Sequence, residues 1–308
     1  MSSPKDERVR LKYFKWKDLY EQEKPYILLM DVPDDFPSCN FEFEDGQLET
    51  IHDLRGRDVT FSLEDNAFKV VHFPTKQRNW DRASVQNDYF PEMEHLIRRE
   101  ISGVTDVFFF DWRLRSTDKA KTDTPEGSHV DLANPLHYLE PIEAVHVDQS
   151  DNGAYMRVEE HTGIRAAELH QRRFFIIKSV REHRLTLIDS RANDSFFSIW
   201  RPFGNTVENF PLAMCDGSTV GPRDLVLADH VRKTYIGETV YPLYQDNYKW
   251  YYLNRQTRDE VLILKMFDSE PTAKAKCCPH TSFKLSAGTD NPRARESIEI
   301  RALVFCEA

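Results

Sequence analysis

The tripeptide His-Val-Asp occurs twice in the chain, at His129–Asp131 and at His146–Asp148. A histidine and a carboxylate two residues apart can supply neighbouring ligands to one metal ion, provided both point the same way. Eleven histidines, each with a 51-in-308 chance of an acid two residues on, produce about two such pairs by accident, so spacing alone decides nothing. The surroundings separate the two. His129 lies in the polar stretch Arg115–Pro135, which is punctuated by Pro and Gly and has no periodicity. His146 and Asp148 end an alternating run, with Ala144, His146 and Asp148 set against Val145 and Val147. A strand there sends both polar side chains to one side. The competing reading is an exposed strand end with a surface ion pair.

A third ligand must come from elsewhere in the chain. In "CCPHTSF", His280 opens a short strand just after the apolar "EVLILKMF". Together His146, Asp148 and His280 would form a two-histidine, one-carboxylate face, which leaves open positions on Fe(II) for a co-substrate and dioxygen. Cys277 and Cys278 adjoin His280, but no second Cys or His pair at short spacing completes a structural zinc site, so packing thiols are expected. The C-terminal run "RESIEIRALVF" places Arg295, Ser297, Glu299 and Arg301 on one face and Ile298, Ile300, Ala302 and Val304 on the other. Arg295 with Ser297 can clamp a carboxylate, the guanidinium bidentately and the hydroxyl by one more hydrogen bond. Arg301 on the same face is the alternative clamp. An edge strand facing water would give the same pattern.

The elements that must position these residues are mostly strands. After residue 140 come "EAVHVD", a helix over Gly153–Gln171, and then "RRFFIIKS", "RLTLIDS", "FFSIWRP", "NFPLAMCD", "ETVYPLY", "KWYYLN", "EVLILKMF" and the C-terminal run. Short polar turns between Glu238 and Phe267 suggest an antiparallel meander. Before residue 140 there is an amphipathic stretch around Tyr13–Gln22, a helix over Pro91–Ile101 and a strand over Val104–Trp112. The fold class is therefore mainly β with flanking helices, and a double-sheet jelly roll of the cupin kind is expected. One domain is expected, with 1–140 as decoration and sheet extension around a core at 141–308.

Twenty Phe, twelve Tyr and five Trp in 308 residues can build one large aromatic core. A net charge of −10 argues against nucleic acid and anionic membrane surfaces and favours a small-molecule substrate. No window has the apolar length of a membrane span, and five scattered cysteines suit a reducing, cytoplasmic compartment. A homo-oligomer is compatible with all of this. No GxSxG, Walker or GxGxxG pattern appears, which weakens hydrolase, nucleotide and dinucleotide readings.

The stretches "VHVDQSDNGAYMRV", "WRPFGNTVENFPLAMCDGSTV", "KWYYLNRQTRDEVLILKMFDSE", "PHTSF" and "RESIEIRALVF", in that order, resemble the fungal hydroxylase/desaturase family. That family includes gibberellin desaturase-like proteins and relatives of the cephalosporin 7-alpha-methoxylase small component. The resemblance implies a double-stranded β-helix and Fe(II)- and 2-oxoglutarate-dependent oxidation of a small molecule. It places the metal roles on His146, Asp148 and His280, and the co-substrate carboxylate on Arg295 with Ser297. The family runs from its "RF" strand almost directly into "WRP", whereas here "KSVREHRLTLIDSRANDSF" intervenes. Two rival readings accompany this one: a non-catalytic accessory partner on the same fold, and a cupin-type enzyme using Zn(II) or Mn(II) without an oxidant.

Overall fold

The protein is described by a computed structural model that covers residues 4–33, 35–123, 134–162, 194–233, 235–286 and 290–306. Its first sheet orders the strands β1 (Glu7–Phe14), β3 (Phe43–Asp53), β10 (Trp250–Tyr252), β7 (Leu212–Cys215) and β12 (His280–Ser282). The second orders β4 (Phe68–His72), β11 (Glu260–Asp268), β6 (Asp194–Pro202), β13 (Glu296–Cys306) and β5 (Val104–Ser116). A third, smaller sheet contains β2 (Tyr26–Leu28), β8 (Leu225–Val231) and β9 (Ile236–Pro242). The first two sheets face each other across a core that includes Leu212 and Met214 from β7, Leu262 and Leu264 from β11, and Trp200 and Leu303 from β6 and β13. This is the jelly roll expected from the strand pattern. Residues before 140 extend both sheets, through β1 and β3 on one and β4 and β5 on the other.

Three expectations need correction. The strands between Glu238 and Phe267 do not form a meander, because β9, β10 and β11 each belong to a different sheet. In a jelly roll consecutive strands cross between layers, so a short connection does not guarantee a hairpin. The stretch around Tyr13–Gln22 is the end of β1 followed by a single 3-10 turn, Asp18–Glu21. "EAVHVD" forms isolated bridges rather than a continuous ladder, since its residues pair with three different partners. The strands proposed at "RRFFIIKS" and "RLTLIDS" lie outside the described residues.

Two helices support the sheets. Phe90–Glu100 buries Met93, Leu96 and Ile97 against the outer face of the second sheet, a spacing of three and four that makes one apolar stripe. It has no side-chain cap of its own because it continues from the π turn Val85–Tyr89, and Asp81 caps the start of this helical run by accepting from the Ser84 N–H at 2.9 Å. The helix Asp151–Thr162 starts three residues after Asp148. Ser150 Oγ accepts from the Gly153 N–H at 2.9 Å, and a Cβ on Gly153 would stand 2.2 Å from Gln149 Nε2, so a larger residue there would displace the Gln149 side chain. Among the described residues no helix is long and apolar enough to cross a membrane.

Candidate metal centre

His146 and His280 face each other across a two-hydrogen-bond antiparallel bridge, His146 N–H to His280 O at 3.1 Å and His280 N–H to His146 O at 2.9 Å. Their rings are 4.4 Å apart. The N–H groups of Val145 and Val147 bond to Lys12 O and Val240 O, both at 2.8 Å, so the segment keeps the alternation of a strand while it links β12 to β1 and β9. That alternation puts Asp148 beside His146. Asp148 Oδ1 is 3.8 Å from His146 Nε2, and Oδ2 is 4.0 Å from His280 Nε2. One ligand atom from each of the three residues lies within 4.8 Å of the others.

The tautomers follow from the backbone. His146 Nδ1 lies 2.8 Å from Ala144 O, and His280 Nδ1 lies 3.1 Å from Cys278 O. A carbonyl only accepts, so each Nδ1 carries the hydrogen and each Nε2 presents a lone pair to the centre. Burial, reinforced by the neighbouring His280, pushes the His146 imidazole down to about 4, which keeps it neutral. Burial raises the Asp148 carboxyl, but Arg301 and the two imidazoles more than offset it and hold the group below the usual carboxylate range. Asp148 Oδ2 is buried with no hydrogen-bond partner. Three acceptors thus converge with no donor among them. A divalent cation satisfies all three, and two imidazoles with one carboxylate suit Fe(II).

β13 is a central strand, paired with both β5 and β6, and not an edge strand in water. Its polar face therefore lines the interior. Both terminal nitrogens of Arg301 are engaged with carboxylates, donating to Asp111 Oδ2 at 2.5 Å, to Asp148 Oδ1 at 2.9 Å and to Glu299, and its Nε alone is without a partner. Arg295 is different. It is 1% exposed, and its Nη1 donates to Phe210 O at 2.5 Å and to Ser282 Oγ at 2.9 Å, while Nε and Nη2 are buried without partners. Ser297 Oγ, one alternation away, is also buried and unpartnered. Burial, with Arg115 nearby, works against the Arg295 charge. A cavity of about 20 Å³ runs between Arg295, Ser282, His146 and His280, with Trp200 on its wall. It shares Arg115, Ile142 and His146 with a larger pocket of about 600 Å³ that reaches Asp148 and Arg301.

The structure thus brings His146, Asp148 and His280 together, sets Arg295 on a cavity shared with both histidines, leaves Ser297 one alternation further along the same face, and spends Arg301 on Asp148. His129 and Asp131 lie outside the described residues, as does most of the inserted stretch. Trp200 lies in β6 with the Arg295 guanidinium 5.4 Å from its ring centre. Its neighbour Arg201 points to the other side of the sheet, where it donates to Phe73 O at 2.9 Å. Ser282 escaped sequence reasoning, although it stands two residues after His280 on the same strand and so shares its face. Glu299 and Arg115, an ion pair at 2.9 Å, were legible only as part of a polar face and a loop edge. Cys215 and Cys278 are buried free thiols, pushed up by burial, in keeping with a packing role.

A domain family described as "Oxidoreductase/YMDC permease-like domain" matches residues 11–194 and 186–305, and the two matches meet inside the inserted stretch. The hydroxylase/desaturase efuI of Hormonema carpetanum is 30% identical over 273 residues, covering 83% of each chain. The Fe(II)/2-oxoglutarate-dependent dioxygenase nvfI of Aspergillus novofumigatus is 30% identical over 264 residues, 82% of this chain and 81% of its own. Among solved structures, one of the iron and alpha-ketoglutarate-dependent endoperoxidase NvfI superposes with a TM-score of 0.76 at 24% identity over all of both chains.

Proposed function

Because the chain belongs to the fungal hydroxylase/desaturase family, we propose that it is an Fe(II)- and 2-oxoglutarate-dependent oxygenase that hydroxylates or desaturates a small molecule of secondary metabolism. The observation that carries this reading is the convergence of three lone-pair acceptors beside an arginine, Arg295, whose buried Nε and Nη2 have no acceptor. Fe(II) and 2-oxoglutarate, bound together with dioxygen, supply an oxidant able to remove hydrogen from a C–H bond.

The chain's own residues do the rest. His146 and His280 would hold the iron through Nε2 and Asp148 through Oδ2, leaving one side of the metal open. Arg301 keeps Asp148 aligned through Oδ1, as an outer partner of a ligating carboxylate does. Arg295, with Ser297, receives the far carboxylate of 2-oxoglutarate, which satisfies the three polar atoms that otherwise lack partners. A cavity of about 20 Å³ holds a water and not a diacid, so the Phe210 carbonyl and Ser282 must give way from Arg295 when the carboxylate enters. Trp200 covers the Arg295 guanidinium and keeps water from it. The 600 Å³ pocket has the size of a small-molecule site and opens onto the triad, where the substrate C–H bond must be presented.

Succinate release tests the proposal. Protein given Fe(II), ascorbate, dioxygen and 2-oxoglutarate should form succinate slowly without substrate, and His280→Ala should not. Equal succinate from both proteins would refute it.

A further inference from the structure

The 600 Å³ pocket is lined by five guanidinium groups, Arg113, Arg115, Arg157, Arg232 and Arg301, of which Arg115 is paired with Glu299 at 2.9 Å. Arg301 is spent on Asp111, Asp148 and Glu299. Asp111 is therefore shared, since it also pairs with Arg113 at 3.0 Å. Arg157 pairs with the half-exposed Glu160 and stacks on the Tyr235 ring at 4.3 Å. Arg232 has no carboxylate within ion-pair distance among the described residues, and its Nε is buried without a hydrogen-bond partner, as is the Nε of Arg157. Burial works against the charge of both Arg113 and Arg232, and although Asp111 supports both charges, the neighbouring guanidinium groups add to the burial effect. The other acids lining the pocket do not relieve it: Glu140 pairs with Lys119, and Glu238 with Lys24 and Ser150. The rest of the lining is largely apolar and aromatic, with Leu29, Phe43, Phe110 and Tyr241.

We propose that the substrate is an apolar small molecule bearing an anionic group, a carboxylate or its equivalent, and that Arg232, with Arg113 and Arg157, binds that group and sets which C–H bond faces the triad. This rests on the reading of the triad as the reacting centre. The positive wall and the metal face line the same pocket, so a rigid skeleton anchored at one has few atoms that can reach the other. Arg232 is the specificity-determining residue, because among these guanidinium groups it is the one with no carboxylate at ion-pair distance among the described residues. A neutral analogue would leave this half-buried guanidinium unpaired, a penalty that discriminates against such molecules.

The test uses two dyes with one ring system, the anionic 8-anilinonaphthalene-1-sulfonate and the neutral N-phenyl-1-naphthylamine, titrated by fluorescence into metal-free protein. Arg232→Gln should weaken the anionic dye roughly tenfold or more and leave the neutral dye within about twofold, and Arg232→Lys should recover part of the loss. Unchanged melting temperatures would show that the variants fold. An unchanged affinity for the anionic dye, or an equal loss for both dyes, would overturn the proposal. So would displacement of the anionic dye by 2-oxoglutarate, which would assign these arginines to the co-substrate. Neither iron nor co-substrate is needed for the titration itself, so its failure leaves the oxygenase reading standing, and failure of that reading appears instead in succinate release.

Discussion

At the scale of single residues, the account depends on which atoms have partners. His146 and His280 are fixed through Nδ1 by carbonyls of their own strands, so the lone pairs at Nε2 are presented before any metal arrives. His146→Ala, Asp148→Ala and His280→Ala should each abolish tight Fe(II) binding, measured by metal content after anaerobic loading. Full retention of iron by any of them would remove that residue from the ligand set. Arg295, just before β13, and Arg301 within it should separate cleanly. Arg295→Ala should weaken 2-oxoglutarate roughly ten- to hundredfold and leave iron affinity intact, because the lost contact is a charge-assisted one to the far carboxylate. Arg301→Ala should instead damage iron binding and the fold. It leaves Asp111, Asp148 and Glu299 without their shared cation, and breaking a buried ion pair typically costs about 3–5 kcal/mol. Urea denaturation of the two variants beside a metal titration checks both halves of this prediction.

Elements explain why so few of these residues could be read in advance. β13 was legible because strict alternation splits it into a polar and an apolar face, and both faces are used. The polar face lines the site, while Ile298, Ile300, Ala302 and Val304 pack with the helix Phe90–Glu100. Ile300→Ala should therefore cost about 2–5 kcal/mol in denaturant and leave metal affinity of the folded protein unchanged. A loss of iron without a loss of stability would contradict the division of labour between the faces. Strand partners were not legible. Alternation shows that β9, β10 and β11 are strands, but nothing local to them records that each enters a different sheet. β1, "ERVRLKYF", carries the same signal, with Arg8, Arg10 and Lys12 outward against Val9, Leu11 and Tyr13, and was legible on the same ground. The His146–Asp148 pair was readable because its alternation survives even where the ladder does not. The orphaned atoms of Arg295 and Asp148 were not, since satisfaction of a polar group is a property of the assembled fold.

For the molecule as a whole, the two sheets respond to different variables. Glu49 in β3 accepts from Tyr13 of β1 at 2.9 Å and from Trp250 of β10 at 3.1 Å, joining three strands of the first sheet. Burial dominates over these donors and raises its carboxyl from 4.5 to about 7. A carboxyl that binds its proton more tightly when folded adds stability below its unfolded pKa and loses it as pH rises through the folded one. The melting temperature should thus fall between about pH 4.5 and pH 7, and Glu49→Gln should flatten that fall; an identical slope in the variant would exclude Glu49 as its source. The central claim joins the sheets. His280 stands on the edge strand of the first sheet, bridged to the segment that carries His146 and Asp148, whereas Arg295 and Ser297 belong to the C-terminal segment of the second. Arg295 reaches Ser282 of β12 and Arg301 reaches Asp148, and a ligand that touches both the metal and Arg295 would add a further link between the two sheets. The most direct test is an anaerobic titration of 2-oxoglutarate into Fe(II)-loaded protein, following the visible charge-transfer absorption that requires metal and co-substrate on one centre. The account predicts a saturable band that is absent in His146→Ala and needs far more 2-oxoglutarate in Arg295→Ala. No band in the unmutated protein, or a titration that Arg295→Ala leaves unchanged, would contradict it.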